Sequence, residues 1–226
     1  MTSTELEALA VTDVANECQS AGRKLGKRLL DVAIAIPALI ASLPILLPAM
    51  LLMQLADPGS VLFRQIRIGR GERPFTMLKL RTMRLGSDDS AFREFNTREL
   101  RGELNSTDDG ILKLENDPRL LPMSRFLRRF SIDELPQLVN VILGEMSLVG
   151  PRPCLPWEVE FFTPQQRRRH DVLPGITGLW QVSGRNLLTM QQMLALDLVY
   201  VEQQSFLLDL KILWRTVPAV LLAHTR

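Results

Sequence analysis

The sequence predicts an α+β protein that is predominantly helical, contains a small β-hairpin, and attaches to one face of a membrane. An uncharged apolar run extends from Val32 to Met53, which is close to the ~20 residues that a helix needs to cross a bilayer core. Residues 60–82 alternate apolar and polar side chains around a glycine-rich centre, a pattern typical of a hairpin. Much of the remaining chain carries apolar residues at helical spacing, which predicts amphipathic helices.

Composition and charge narrow the functional class. A chain of 226 residues with 46% hydrophobic content can bury one main core. The formal charge of +2 and the lack of a zinc-finger or RNA-binding signature argue against a nucleic-acid partner. Two cysteines, Cys18 and Cys154, form no disulfide framework and fit a reducing compartment. We expect a flexible polar tail or short surface helix at 1–22, a membrane segment at 23–58 and a main domain at 59–226.

Prolines and flanking charges predict how the apolar run meets the membrane. Pro37, Pro44 and Pro48 lie inside it, and each removes a backbone donor from a helix. Basic residues stand on both sides of the run, at positions 23, 24, 27 and 28 before it and 64, 67, 70 and 73 after it. A spanning helix would collect basic residues on its cytoplasmic side only. We therefore expect a re-entrant helix–break–helix that enters and leaves by one face, with a spanning helix and a buried soluble helix as alternatives.

The predicted break lies near Ser42 and Pro44. Ser42 precedes the Leu43-Pro44 step, and its hydroxyl could bond a backbone carbonyl that the break leaves without a donor. Such side-chain bonds are one of the ways in which interrupted helices are tolerated at membrane depth.

The segment Ser131 to Pro136 reads Ser-Ile-Asp-Glu-Leu-Pro and leads into an apolar run. Proline is accepted in the first turn of a helix, so we expect a helix to begin near Asp133. The helix dipole would then favour the ionised form of Asp133. An ionised carboxylate there could hold a divalent cation or attack an electrophilic phosphorus. The alternative is a capping role, since Ser131 and Glu134 match a capping box.

Two loops carry candidate anion-binding arginines. Gly150-Pro151-Arg152-Pro153 is a stiff turn that presents Arg152, and the glycine-punctuated stretch 174–186 carries Arg185. Glycines let backbone amides approach an anion, and the arginine fork matches phosphate geometry. Arg125, Arg128 and Arg129 form a basic stripe that suits either solvent or anionic headgroups. We interpret the run 167–170, Arg-Arg-Arg-His, as a solvated basic patch.

The C-terminal part predicts an amphipathic helix. From Phe206 onward the apolar face consists of Leu207, Leu210, Leu213, Trp214 and Val217, with Lys211 and Arg215 beside it. A helix lying in the headgroup layer has this pattern. Packing of the same face on the protein core is the alternative, because periodicity alone does not separate the two.

A series of segments, in order along the chain, carries a family resemblance. They are KRLLD at 27–31, GSVLFRQIRIG at 59–69, FTMLKLRTM at 75–83, NDPRL at 116–120, SIDELPQLVNVILGEMSLVGPRP at 131–153, PGITGLWQVSGRN at 174–186 and SFLLDLKIL at 205–213. With these segments the chain resembles the monotopic phosphoglycosyl transferases, also called bacterial sugar transferases. One departure is that Leu43 stands between Ser42 and Pro44, where the family typically has serine followed directly by proline.

The resemblance implies a reaction and its participants. Asp133 would attack the β-phosphorus of a UDP-sugar, UMP would leave, and undecaprenyl phosphate would take the phospho-sugar from the aspartyl intermediate. Mg²⁺ would be held by Asp133 and the diphosphate. Glu134 would position the lipid phosphate or handle a proton. The Leu179-Trp180 pair resembles family members that use glucose or galactose.

The remaining expectations also come from the resemblance. Arg152 and Arg185 would hold phosphate or nucleotide oxygens, and Lys79, Arg81, Arg128 and Gln181 would line the same region. The enzyme would lie on the cytoplasmic face of the bacterial inner membrane, where homodimerisation is possible, and would catalyse the first membrane step of exopolysaccharide, capsule, O-antigen or glycoconjugate synthesis. A non-catalytic membrane scaffold and a glycosyltransferase that releases UDP are the alternatives.

Overall fold

The computed structural model of the chain describes residues 3–84, 90–103, 120–121, 123–184 and 188–221, with side chains from Lys24 onward at the N-terminal end. The described chain is mostly helical, as predicted, and contains small two-stranded sheets. Its helices are α1 (Ser3–Ala56), α2 (Ser90–Leu100), α3 (Ser124–Arg129), α4 (Gln137–Leu143), α5 (Pro164–Arg167), α6 (Leu179–Ser183), α7 (Met190–Gln203) and α8 (Phe206–Leu221). Its strands are β1 (Leu62–Ile68), β2 (Pro74–Leu80), β3 (Ser147–Val149) and β4 (Gly175–Thr177).

Helix α1 contains the predicted membrane segment. Its part from Lys24 to Ala56 is long and apolar enough to cross a membrane, judged by length and composition. The helix bounds run without interruption across the three prolines, so the re-entrant break stays a prediction. Ser42 Oγ donates to the carbonyl of Leu39 at 2.7 Å. The next carbonyl, that of Ile40, lacks its usual helical donor because Pro44 has no backbone N–H. The flexibility of residues 1–22 also stays a prediction, and α1 includes backbone from Ser3.

One face of α1 packs along the folded domain. Ala35 belongs to a core cluster that includes Val141 and Tyr200, and Met53 belongs to a second cluster around Leu80. The opposite face is apolar but exposed, with side chains that are 40–72% accessible at Leu25, Leu29, Ile36, Ile40, Leu43, Ile45, Leu47, Leu51, Leu52 and Leu55. A helix buried in a soluble core would not leave so many large apolar residues in contact with solvent.

The predicted hairpin is confirmed as an antiparallel pair of β1 and β2, with Leu62 opposite Leu80 and Ile68 opposite Pro74. Gly71 in the connecting turn has a φ of 65°, a left-handed conformation that glycine adopts readily. Beyond the pair, the Ile68 amide donates to the carbonyl of Cys154 at 2.9 Å. The hairpin is thereby attached to the chain that follows Arg152.

A second sheet, which the sequence did not predict, joins the two loops that carry candidate arginines. Strands β3 and β4 pair in parallel, with Ser147 opposite Gly175 and Val149 opposite Thr177. A Cβ atom on Gly150 would lie 2.3 Å from the Leu173 carbonyl oxygen, and one on Gly175 would lie 2.1 Å from the Gly150 amide nitrogen. Only glycine allows the two backbones to approach so closely.

Helix α8 presents an apolar face to the outside. Leu207, Trp214 and Val217 are 77%, 81% and 59% exposed, whereas Asp209 and Ile212 on the opposite face are buried. Leu213, which we expected on the outward face, packs against the first core cluster instead. Apart from that residue, the exposed face is the one that an interfacial helix would use.

Candidate active site

Asp133 lies in a tight turn rather than at the start of an α-helix. Residues Ile132–Glu134 form a 3₁₀ turn, and Ser131 before it has a left-handed φ of 54°. Helix α4 begins only at Gln137, so the predicted start near Asp133 is wrong. The side chain of Ser131 makes no capping bond, which removes the predicted capping box. The backbone bond from the Glu134 amide to the Ser131 carbonyl, 3.1 Å long, closes a tighter turn than an α-helix makes.

Burial dominates the electrostatics of Asp133. The residue is 8% exposed, and burial raises the pKa of its carboxyl to about 6, with a further upward contribution from Glu134. Lys79 and Arg128 act in the opposite direction, but more weakly. The expected lowering of the pKa by a helix dipole is therefore not found, because no α-helix begins at Asp133 and loss of water raises the pKa. A carboxyl with a pKa of about 6 is still mostly ionised at neutral pH.

Lys79 and Glu134 come together beside Asp133. Lys79 extends from β2, and its Nζ atom lies 2.9 Å from Glu134 Oε1. The lysine is 25% and the glutamate 34% exposed at the side chain, so the pair faces an accessible edge. Arg128 stands at the end of α3 and acts on the Asp133 carboxyl through space. Thus four residues that the sequence singled out form one group: Lys79, Arg128, Asp133 and Glu134.

Asn140 fixes α4 against the hairpin and so helps to place this group. It is 1% exposed. Its Oδ1 accepts from the Leu78 amide at 3.0 Å, and its Nδ2 donates to the Thr76 carbonyl at 2.8 Å and to Glu145 at 2.7 Å. We did not predict this role. A single amide side chain inside the apolar run 138–143 is the signal that could have indicated it, because buried amides need several partners.

Two buried arginines hold the turn that presents Arg152. Arg67 Nη1 donates to the Pro153 carbonyl at 2.9 Å, and Arg169 Nη2 donates to the Arg152 carbonyl at 2.7 Å. Burial lowers the pKa of Arg67 to about 10, and the charge of Arg152 lowers it further, whereas Glu134 opposes this effect. Arg67 therefore lies within electrostatic reach of both Arg152 and Glu134. Sequence reasoning counted Arg67 only as a flanking charge.

Arg169 belongs to a buried ion pair, which corrects the prediction of a solvated patch at 167–170. Its Nη2 lies 2.5 Å from Asp197 Oδ2, and both side chains are at most 5% exposed. His170 is also buried, and its Nε2 lies 3.3 Å from Cys154 Sγ. Only Arg168 of this run is exposed, and it pairs with Glu202 at 3.4 Å. Spacing along the chain could not reveal the pair because its acid comes from α7, 28 residues away.

Comparison with known proteins identifies the family to which the chain belongs. The family model described as "Bacterial sugar transferase" matches residues 22–223. The chain belongs to the bacterial sugar transferase family. It is 42% identical over 202 residues to "Exopolysaccharide production protein ExoY" of Sinorhizobium fredii, covering 88% of this chain and 87% of that protein.

Two further relatives carry activity names. One is "UDP-glucose:undecaprenyl-phosphate glucose-1-phosphate transferase" of Caulobacter vibrioides, 41% identical over 87% of this chain and 70% of that protein. The other is "Undecaprenyl-phosphate galactose phosphotransferase" of Salmonella typhimurium, 35% identical over 86% of this chain and 40% of that protein. These similarities establish that the chain is a phosphoglycosyl transferase.

Two further predicted site residues of the transferase, Arg81 and Arg185, are not part of the group around Asp133 in the described structure. Arg81 is 3% exposed, donates to the backbone carbonyl of Asp57, and lies 3.3 Å from its carboxylate. It therefore holds the end of β2 to the end of α1, and its contact with substrate stays a prediction. Arg185 lies outside the described residues.

A small cavity beside Arg152 is lined by Trp180 and Glu158 of the transferase. Trp180 Nε1 and Gln181 Oε1 are buried and have no hydrogen-bond partner among the residues that the structure describes. Gln181 is half-buried on α6, and its Oε1 lies 2.7 Å from the point that a Cβ atom on Gly178 would occupy. Its predicted contact with substrate is not tested by this arrangement.

The residues of the transferase fit a magnesium ion whose coordination the substrate completes. Within the described ranges, no three His, Cys, Asp or Glu side chains cluster as a metal site. Mg²⁺ typically takes one or two carboxylates together with substrate phosphates and water. Asp133 and Glu134 are neighbouring carboxylates, and the charge of Glu134 helps to raise the pKa of Asp133. This donor set suits a cation shared with a diphosphate.

Proposed function

We propose that this transferase moves a sugar-1-phosphate from a UDP-sugar to undecaprenyl phosphate, releasing UMP, in exopolysaccharide or capsule synthesis. The observation that carries the proposal is the buried Asp133 carboxylate next to the accessible Lys79–Glu134 pair. Relatives whose names specify undecaprenyl phosphate as substrate support the acceptor, and the Caulobacter vibrioides name supports a UDP-sugar donor.

In the first step Asp133 is the nucleophile. A carboxylate oxygen attacks the β-phosphorus of the donor, the bond from that phosphorus to the bridging oxygen breaks, and UMP leaves with the electron pair. The sugar-1-phosphate is then esterified to Asp133. Low exposure keeps water away from this reactive acyl phosphate. Bound Mg²⁺, held by Asp133 and Glu134, would supply positive charge to offset the repulsion between carboxylate and diphosphate.

In the second step the lipid phosphate is the nucleophile. A phosphate oxygen of undecaprenyl phosphate attacks the same phosphorus, the bond to Asp133 breaks, and the carboxylate is regenerated. Lys79, fixed by Glu134 at 2.9 Å, is placed to attract the incoming phosphate. Arg152, on a turn held by two buried arginines, and Arg128 would bind the remaining oxygens. One pyrophosphate linkage replaces another, so no further energy source is needed.

We propose that α1 is re-entrant and that the enzyme occupies the cytoplasmic face of the inner membrane. Both ends of the apolar run contact the same domain. Lys27 Nζ lies 2.7 Å from Asp209 before the run, and Asp57 holds Arg81 after it. A helix that crossed the bilayer would carry one of these ends to the opposite face, out of reach of the domain.

The topology can be tested with the natural Cys18, which precedes the run. A membrane-impermeant maleimide should label it in inside-out vesicles and not in intact spheroplasts. Labelling in spheroplasts would instead establish a spanning helix. Cys18→Ser serves as the control for background labelling of Cys154, which is 2% exposed.

The reaction can be tested by nucleotide release from detergent-solubilised enzyme supplied with Mg²⁺, undecaprenyl phosphate and single UDP-sugars. We expect UMP from UDP-glucose or UDP-galactose, and none from Asp133→Asn. Release of UDP would identify a glycosyltransferase, and folded protein that releases neither nucleotide from any donor would favour a scaffold. Preference for an N-acetylated sugar would contradict the hexose assignment while leaving the reaction class intact.

A further inference from the structure

A cavity of about 350 Å³ lies at the start of the apolar run, between α1 and the turn that joins α7 to α8. This volume is within the range of small-molecule sites. Its lining includes Lys24, Asp31 and Phe206 but none of the residues grouped around Asp133. The proposed transfer steps give these lining residues no role.

The deep wall of this cavity is acidic. Asp31 and Asp209 are each 2% exposed. Asp209 already holds Lys27 Nζ at 2.7 Å. Asp31 Oδ1 accepts from Ser147 Oγ and the Leu148 amide, both at 3.0 Å, but Asp31 Oδ2 is buried and accepts no hydrogen bond from any described residue. A buried carboxylate oxygen without a donor is unfavourable, so the wall lacks one hydrogen-bond donor.

The outer part of the cavity is basic. Lys24 and Arg70 line it and are exposed, and neither side chain forms an ion pair within the described chain. Arg28, in contrast, is occupied on the inner side, where its Nη2 donates to the Ile142 carbonyl at 2.6 Å. Lys24 and Arg70 are therefore the cations with charge to offer an anionic group.

The balance of charge favours a zwitterionic ligand. Four basic side chains and four acidic ones line the cavity, the two acids not yet named being Asp171 and Glu202. A site for a free phosphate would carry an excess of basic residues. Of these acids Asp31 and Asp209 are buried, whereas Asp171 and Glu202 are exposed, as Lys24 and Arg70 are. A buried carboxylate with exposed cations nearby instead matches a ligand that has an ammonium at one end and a phosphate nearby.

The surroundings of the mouth indicate a lipid. Phe206, which lines the cavity, is 57% exposed, and Leu207 beside it is 77% exposed. Leu25 and Leu29, on the same end of α1, are each 62% exposed. Charged groups that border on exposed apolar side chains are typical of the headgroup layer of a membrane.

We propose that this cavity binds the headgroup of a phospholipid that carries both a phosphate and a primary ammonium, as ethanolamine phospholipids do. An ammonium N–H donates to Asp31 Oδ2, the phosphate contacts Lys24 and Arg70, and the acyl chains lie over Phe206 and Leu207. A choline headgroup has no N–H to donate, and a glycerol headgroup has no cation for the acidic wall. The site therefore selects among lipids of similar size.

Native mass spectrometry of the detergent-purified enzyme tests this proposal. Phosphatidylethanolamine, phosphatidylcholine and phosphatidylglycerol with identical acyl chains are added at equal concentration. We expect the ethanolamine lipid to be retained about three- to tenfold better than the choline lipid, as one or two hydrogen bonds would give. Lys24→Ala combined with Arg70→Ala should weaken retention of the ethanolamine and choline lipids alike, because both carry the phosphate, without loss of UMP release. Arg73→Ala, which removes an exposed arginine outside the cavity, is the matched control.

Three results would overturn the proposal. Equal retention of ethanolamine and choline lipids would contradict the proposed hydrogen bond from the ammonium to Asp31. Stronger retention of phosphatidylglycerol would identify an anion site. Displacement of the lipid by an equal concentration of soluble glycerophosphoethanolamine would assign the cavity to a free metabolite. Because Asp31→Asn would also disturb the bonds to Ser147 and Leu148, the ammonium contact is tested by the comparison of headgroups, and the phosphate contact by the exposed Lys24 and Arg70.

Discussion

Asp133 and Asp197 are both buried aspartates whose pKa burial raises to about 6, yet their surroundings differ. Asp197 has a cation in direct contact, since Arg169 Nη2 lies 2.5 Å from its Oδ2. Asp133 has none in contact among the described residues, where Lys79 is paired with Glu134 instead. Burial alone therefore does not distinguish a reactive carboxylate from a structural one. The distinction lies in whether the lone pairs are already occupied.

The Asp133→Asn substitution should separate activity from stability most clearly. We expect UMP release to fall at least about 10⁴-fold, because an amide cannot displace UMP. The melting temperature should stay the same or rise, since the amide removes a buried charge. Nucleotide release and thermal unfolding in the same detergent check both parts. Substantial residual turnover would place the nucleophile elsewhere.

Asp197→Asn should show the opposite behaviour. It leaves the buried Arg169 without its counter-charge, and we expect a loss of about 3 kcal/mol in the free energy of unfolding. Chemical denaturation measures the loss. Because Arg169 also holds the Arg152 carbonyl at 2.7 Å, the Michaelis constant for the UDP-sugar should rise in the protein that remains folded. A variant with unchanged stability would contradict the stabilising role that we assign to the Arg169–Asp197 ion pair.

Protonation of His170 should weaken the same buried region in acid. Burial, with the charges of Arg169 and Arg167, lowers the pKa of His170 to about 4 against the opposing effect of Glu72. The unfolded chain, with a histidine pKa near 6.5, then binds the extra proton first as the pH falls. Between about pH 6.5 and pH 4 the folded state should lose up to about 3 kcal/mol.

The measurement is the difference in unfolding free energy between wild type and His170→Gln as a function of pH, so that other titrating groups cancel. Above about pH 7 the difference should be constant. A difference that stays constant down to pH 4 would show that His170 is not held neutral.

The smallest effect on stability should come from the accessible edge of the Asp133 site. Lys79→Met breaks an ion pair whose partners are 25% and 34% exposed, which should change stability by less than about 1 kcal/mol. Activity should still fall about tenfold, because Lys79 lowers the pKa of Asp133 and would attract the lipid phosphate. Steady-state kinetics with Lys79→Arg as the rescue variant tests whether a charge at this position suffices.

The sequence by itself determined the apolar segment, the hairpin at 60–82 and the candidate group Lys79, Asp133 and Glu134. The apolar segment, the hairpin and the adjacent Asp133 and Glu134 follow from local patterns, namely hydrophobic periodicity, turn residues and a short motif. Lys79, which is distant in the chain, was named through the family resemblance. Local pattern also predicted that α8 has an apolar face, because that face depends on residues three and four positions apart, but it left open whether the face packs on the core or points outward.

Tertiary structure alone decided the protonation balance of Asp133, the pairing of Arg169 with Asp197, and the use of Arg81 on Asp57. Each depends on burial or on a partner from a distant element, and neither quantity has a local signature in sequence. The helix start near Asp133 was wrong for a related reason. Proline statistics allow several starting points, and packing of the 3₁₀ turn against β2 selected one of them.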